Sequence, residues 1–277
     1  MLCFIHAEIY KLKKSKSFYS CVVAAAAFAL LMYSMLLLAD NIQKGKLENG
    51  TGGVIVSMNN EEINSSSASI WDTVHIMDLM QQIFAGDVLG CIISIFISIF
   101  VIREFTSGML KNIVGKGGSR SSVYLAKLFV AILAAILIAM SGAAATLITG
   151  RLLIGADAFA DGLLKKLPAY IGLQMLSIAA ISSIFVLVGE ISRTMAAGIS
   201  FGICTAALPA LLLNILDMQF TDSPISPSEF WPLTRMSQCT LDGISTSYVT
   251  ETLLIALFWL VLTTGLGIWH FHHTDIK

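Results

Sequence analysis

The chain has 277 residues, 56% of them hydrophobic and 13% charged, with a formal net charge of -1 and a mean hydropathy of +0.81. A soluble domain carries about 25% charged residues, and no soluble fold of this length hides so much apolar surface, so lipid must be the solvent. Five cysteines, at 3, 21, 91, 204 and 239, show no CxxC or other ligand spacing, which excludes a disulfide framework and a zinc site; Cys21, Cys91 and Cys204 lie in apolar runs and read as small buried hydrophobes.

In chain order, the first element is an amphipathic start, residues 1–17. Phe4, Ile5, Ile9 and Leu12 form one apolar stripe, with Glu8, Lys11, Lys13, Lys14 and Lys16 elsewhere. This suits a helix in the membrane interface that bends into the first span. A spanning helix needs about 20 mostly apolar residues. Six stretches qualify, roughly 18–39, 83–102, 125–149, 168–189, 194–216 and 250–270. The first is longer than the ~7–15 residue core of a signal peptide, and its exit LLLADN lacks a small-x-small cleavage pattern, so it reads as an uncleaved anchor.

Between spans 1 and 2 lies a long loop, about 40–82. Its middle is polar and rich in Gly and Ser; its end, IWDTVHIMDLMQQIF, has helical character and suits the outer leaflet, with Trp71 at the interface. Asp87, near the start of span 2, is an intramembrane acid and hence a pathway candidate, although water at the mouth is about one turn away. Ser94, Ser98, Gln174 and Asn214 are further polar candidates for a pathway lining. Such mild polarity suits an amphipathic cargo better than an ion stripped of water.

After span 2 comes REFTSGMLKNIVGKGGSRSSVYLAKL, residues 103–128. Phe105, Met109, Leu110, Ile113 and Val114 form a helical stripe over about 103–116; Gly115, Gly117 and Gly118 end it, and Ser121 or Ser122 is placed to cap span 3. Spans 4 and 5 are joined by Glu190-Ile191-Ser192-Arg193, where Glu190 reads as interfacial and paired with Arg193. Gly198-x-x-x-Gly202 in span 5 permits close helix approach, within one subunit or in a dimer, and Pro209 bends that span. The loop at about 217–249 contains DSPISPSEFWPLTR, whose three prolines and Phe230-Trp231 suit a partly re-entrant or interfacial element. His270, His272 and His273 end span 6; lacking ligand-spaced partners they read as an interfacial tail, not a metal site.

Lys and Arg set orientation. With the N-terminus inside, eleven of the seventeen lie on the inner side, five of them between spans 2 and 3, and both termini are cytoplasmic. No G-x-x-x-x-G-K-[ST] motif occurs, so ATP has no P-loop on this chain, and no hydrolase or metalloprotease motif is present.

Six spans, an amphipathic basic start and the REFTSGMLKNIV…SRSSVYLAKL segment together resemble the permease subunits of ABC-2 type exporters, in particular the small Firmicute-type permeases of peptide and bacteriocin export or immunity. The resemblance implies an all-α, six-span permease in the bacterial plasma membrane, not an enzyme, comprising an interfacial helix at 1–17 and a transmembrane domain at 18–277. It implies that the segment at about 103–116 is a coupling helix seated on a separate ABC ATPase, with Arg103, Glu104, Phe105, Gly108 and Lys111 in that contact and Glu8 and Lys11 on the interfacial helix beside it. ATP and Mg are expected on the ATPase, with no cofactor on this chain. The expected partners are that ATPase, a second copy or sister permease, and membrane lipid, but not nucleic acid. The expected cargo is a hydrophobic or amphipathic peptide. Sodium extrusion and an ATP-independent transporter or scaffold are the alternatives.

Overall fold

The computed structural model describes residues 2–48, 56–58, 61–63, 76–85, 87–106, 119–153, 163–219, 226–240 and 244–273. Helix α1 (Leu2–Lys14) stops at Ser15, and α2 (Lys16–Glu48) begins at once. A small antiparallel hairpin, β1 (Val56–Met58) with β2 (Glu61–Ile63), pairs Ser57 with Glu62. The remaining elements are helical: α3 (Ile76–Phe84), α4 (Asp87–Thr106), α5 (Arg120–Leu153), α6 (Leu163–Ser192), α7 (Met195–Gln219), a 3-10 turn (Pro227–Phe230), α8 (Pro232–Gln238) and α9 (Thr246–His273).

Six helical stretches are long and apolar enough to cross a membrane: Lys16–Ile42, Leu79–Phe105, Arg120–Leu153, Leu167–Ser192, Met195–Gln219 and Thr246–His273. They coincide with the six expected spans but run further at their ends. At about 1.5 Å per residue a helix outgrows the ~30 Å hydrocarbon layer after about 20 residues, and its extra turns are polar ends that hydropathy does not count.

The bundle has an inner set, α4, α5 and α6, wrapped by α2, α7 and α9, which stay largely exposed for lipid. Helix α5 is central because its buried stripe is made of small residues, Ala131, Ala134, Ala135, Ala139, Gly142 and Ala143 among them. Small side chains let helix backbones approach and pack by dispersion, the main attraction available where lipid is as apolar as leucine. Along this stripe α2 is tied by Ser141 Oγ to the Val22 carbonyl (3.2 Å) and by Tyr33 Oη to the Thr146 carbonyl (2.9 Å). Helix α9 is tied to α6 by Thr263 Oγ1 donating to Ser183 Oγ at 2.7 Å.

The Gly198-x-x-x-Gly202 face is turned inward, against α4. A methyl group at Gly198 would run into Ile102, and one at Gly202 would lie 3.2 Å from Ser94 Cβ. Ser98 donates to the Gly198 carbonyl at 2.9 Å, and Ser94 donates to the Cys91 carbonyl of its own helix at 2.9 Å. These two serines therefore lie in the α4–α7 seam.

Several expectations need correction. The helix at the end of the first loop does not lie on the leaflet: α3 buries Leu79, Met80, Ile83 and Phe84 inside the bundle, and Phe84 meets the Tyr170 ring edge-on at 5.9 Å. Its apolar face finds protein before lipid; Trp71 lies outside the described residues. The start of α5 is capped earlier than expected, since the Ser119 carbonyl accepts from the amides of Ser122 and Val123 and its hydroxyl meets Ser122 Oγ at 2.6 Å. Cys204 is exposed on α7 and Cys21 and Cys91 are half-buried, because an apolar run in lipid needs no protein cover; Cys239 is the buried one. Pro209 sits within a helix that continues through it to Gln219.

At the far end from α1, the proline-rich loop folds into a docked element. Pro227 starts the 3-10 turn and Pro232 starts α8, each at a first-turn position where its missing N–H costs nothing. Between them Trp231 takes the extended conformation (φ -89°, ψ 124°) that a following proline favours. Carbonyls of this element would be orphaned at membrane depth, and side chains from three helices satisfy them. Gln174 Nε2 donates to the Met236 carbonyl (3.0 Å), Gln81 Nε2 to Ser237 (3.2 Å), Tyr248 Oη to Arg235 (2.9 Å) and Trp259 Nε1 to Phe230 (2.8 Å).

Candidate functional site

The end of the bundle that carries α1 gathers the termini of α4, α5, α6 and α9. Helix α1 lies across it with Leu12 buried and Ile5 and Ile9 packed on the core, as its apolar stripe dictates. That pose turns Glu8 and Lys11, one helical turn apart, toward the last turn of α4. Lys11 Nζ is 2.7 Å from Glu8 Oε1 and 2.7 Å from Glu104 Oε1. The other oxygen of Glu104 is 2.9 Å from Lys127 Nζ on α5. Lys127, only 1% exposed, also lies 5.0 Å above the Phe105 ring, which in turn meets Phe271 of α9 at 6.3 Å. Glu104 thus bridges two cations from two helices and closes a chain of charges, Glu8–Lys11–Glu104–Lys127.

Burying charge is costly unless every charge has a partner, and here the alternation of sign supplies one. The balance is uneven outside the spans. Burial lifts the Glu8 carboxyl above its ordinary range and the nearby Glu104 adds to this, with Lys11 and Lys127 pulling back only in part. For Lys11 burial works against the ammonium, but Glu104 and Glu8 outweigh it and raise its affinity for the proton. Lys11 therefore remains a cation, and Glu8 is the weakest acid link.

Glu190 departs from its expected role. It is 1% exposed, neither carboxylate oxygen has a hydrogen-bond partner among the described residues, and Lys127 is the cation within electrostatic reach of it. The α6–α7 turn explains this: Arg193 adopts a left-handed conformation (φ 52°) that ends α6 and is itself exposed, away from Glu190. On α9, His272 Nε2 pairs with Ser121 Oγ at 2.9 Å and Arg120 donates to the His272 carbonyl at 3.0 Å, so the histidine end ties α9 to the start of α5. No cluster of three or more His, Cys, Asp or Glu able to hold a metal occurs among the described residues.

Of the residues singled out by sequence, Glu8, Lys11 and Glu104 converge, Phe105 packs beside them, and Arg103 is exposed on the same turn. Gly108 and Lys111 lie outside the described residues. Asp87 opens α4, and its side chain is likewise outside them. Gln174 pins α8, and Asn214 lines a cavity of about 310 Å³ with Leu233, Thr234 and Ser237 at the opposite end. Sequence reasoning missed Lys127, counted only as a topology signal, although a lysine two residues into an apolar span signals a buried partner. It also missed Arg235, which is 4% exposed and reaches Glu251 at 2.7 Å and Glu229 at 3.5 Å from under the proline-rich element.

The chain matches a family model described as ABC-2 family transporter protein over residues 4–208, from α1 into the fifth span. No curated protein matches the chain closely enough to count as a relative.

Proposed function

The chain belongs to the ABC-2 transporter family, the membrane component of ABC transporters, and from that premise we propose that it is the permease half of an ATP-driven exporter, energised by a separate ATPase gripping the segment at about 103–116. The observation that carries this reading is Glu104. It sits at the root of that segment and is bound to α1 through Lys11 and to α5 through Lys127. A displacement applied just beyond Thr106 is then delivered to three helices together, not absorbed by a floppy joint. Packed helices switch between discrete arrangements under such a push, opening one end of a bundle and closing the other. ATP and Mg act on the partner, and the path forms between this subunit and a second copy or sister permease.

The cargo we infer is hydrophobic or amphipathic, with a membrane-active peptide the leading class. In support, the buried serine and threonine hydroxyls of Thr146, Ser182 and Ser183 are engaged with carbonyls of their own helices and give the spans only mild polarity there. Gentle detergent extraction with an affinity tag should bring down a P-loop ATPase, and Lys111→Glu should release it while leaving the permease folded and monodisperse. A chain that runs alone, with no ATPase recovered after cross-linking from Gly108→Cys or Lys111→Cys, refutes the coupling. A strain lacking the gene should become sensitive to membrane-active peptides; sensitivity to sodium alone would replace that cargo with the ion.

A further inference from the structure

At the same end of the bundle, a cleft of about 360 Å³ separates the α1–α2 junction from α4. Its floor is apolar, formed by Ile99 and Phe100 of α4 with the buried Phe96 ring stacked 5.7 Å from Phe100 behind them. Its mouth is basic and hydroxylated. Lys14 and Arg103, both exposed, face it together with Ser15 and Ser17, and Lys11 closes its inner wall through the bond to Glu104. The cleft lies where α1 turns into the first span and where α4 leaves the apolar layer, which is the depth of lipid headgroups.

We propose that this cleft is a binding site for one anionic phospholipid, its phosphate held at the mouth by Lys14, Arg103 and the two hydroxyls and the start of one acyl chain laid on the phenylalanine floor. A volume of about 360 Å³ is at the small end of ligand pockets, about 300–1,000 Å³, and suits a headgroup with a proximal chain rather than a whole lipid. Charge selects the occupant: Lys14 and Arg103 bring positive charge to the mouth, while Lys11 and the one acid, Glu104, are bound to each other. The floor separates a lipid from a water-soluble phosphate, which has no use for stacked rings. The site would fix the angle between α1 and α4, and it stands whether or not an ATPase drives the subunit.

The test uses the full chain purified in mild detergent and native mass spectrometry with equal amounts of phosphatidylglycerol and phosphatidylcholine. One tightly retained phosphatidylglycerol is expected, preferred by about tenfold, since each interfacial cation adds a several-fold bias toward an anionic headgroup. Lys14→Gln with Arg103→Gln should bring the two lipids near parity, whereas Lys13→Gln with Lys16→Gln, the same charge loss outside the cleft, should not. Ile99→Trp fills the floor without touching charge and should abolish tight retention of either lipid, which keeps the test valid if the double variant misfolds; retention unchanged by it would overturn the site. Equal losses in both double variants would mean diffuse surface attraction and overturn the site. Displacement of the lipid by millimolar glycerol phosphate or inorganic phosphate would mean headgroup recognition alone and overturn the role of the floor.

Discussion

Lys127 carries more of the structure than its single charge suggests. With 1% of its surface exposed, it neutralises one oxygen of Glu104 and is the cation within reach of Glu190. Replacing it by methionine keeps the volume, leaves Glu104 with Lys11 alone and takes from the buried Glu190 the cation within its reach, a change that costs about 3–5 kcal/mol when a buried pair loses one member. Lys127→Met should therefore lower the thermal midpoint in detergent sharply, and Glu104→Gln should do the same by stranding Lys127. The two together should cost clearly less than their sum, the signature of direct coupling in a double-mutant cycle; additive losses would show that the ion pair is incidental. Glu8 behaves differently. Its carboxyl is raised by burial and by Glu104, so the folded state holds its proton more tightly than the unfolded chain does. Stability linked to Glu8 is then complete below the unfolded value near 4.5 and is lost as pH rises through the higher folded value. Glu8→Gln, always neutral, should match the parent at low pH and gain on it as pH climbs past that window, read as thermal midpoint against pH. A gap that instead widened toward acid would reverse the sign assigned to Glu8.

Helices approach each other here through small residues, so single methyl groups discriminate a seam from open surface. At Gly267 of α9 an added Cβ would collide with the ring and hydroxyl of Tyr124, a rigid group that is itself buried. Gly267→Ala should cost about 1–3 kcal/mol through forced repacking. At Gly172 of α6 nothing lies within 4 Å, and Gly172→Ala should gain about 0.5–1 kcal/mol from helix propensity alone. Thermal midpoints moving the same way for both would contradict the packing of α9 on α5. The element scale also separates what was legible in the sequence from what was not. Runs of about 20 apolar residues declared the six spans, and the stripe of Ile5, Ile9 and Leu12 declared an amphipathic α1, because both are local patterns. Proline and tryptophan in DSPISPSEFWPLTR declared a break, but not that Pro227 and Pro232 would each begin a turn of helix buried under Gln174 and Tyr248. Partners as far apart as Gln174 and Met236, 62 residues, and Gln81 and Ser237, 156 residues, decide that, and no local period records them. The same holds for the charge chain: Glu8 and Lys11 are visibly a pair at helical spacing, whereas the contact from Lys11 to Glu104, 93 residues away, exists only once α1 has folded across the bundle.

Across the whole molecule, the asymmetry between the two ends determines what each can do. One end bears α1, the charge chain, the start of α5 and the histidine end of α9; the other bears α3 and the docked proline-rich element. Eleven of the seventeen basic residues belong to the first end and its flanking segments, the distribution that retains a loop in the cytoplasm during insertion. The proposed grip of an ATPase on the segment after Thr106 requires that end to be cytoplasmic, which is also the orientation the lysine distribution predicts from membrane insertion. Ser119, exposed where α5 begins, and Phe230, half exposed in the 3-10 turn, sit at opposite ends. In a background with the five native cysteines replaced, Phe230→Cys should react with a membrane-impermeant maleimide on intact cells. Ser119→Cys should react only after the membrane is opened. The Phe230 carbonyl, which accepts from Trp259, belongs to the backbone and survives the substitution, so failure of that site to label would not come from loss of this anchor. The opposite pattern would put the segment after Thr106 outside the cell, where no ATPase can hold it, and would leave the charge chain a purely structural clasp between three helices.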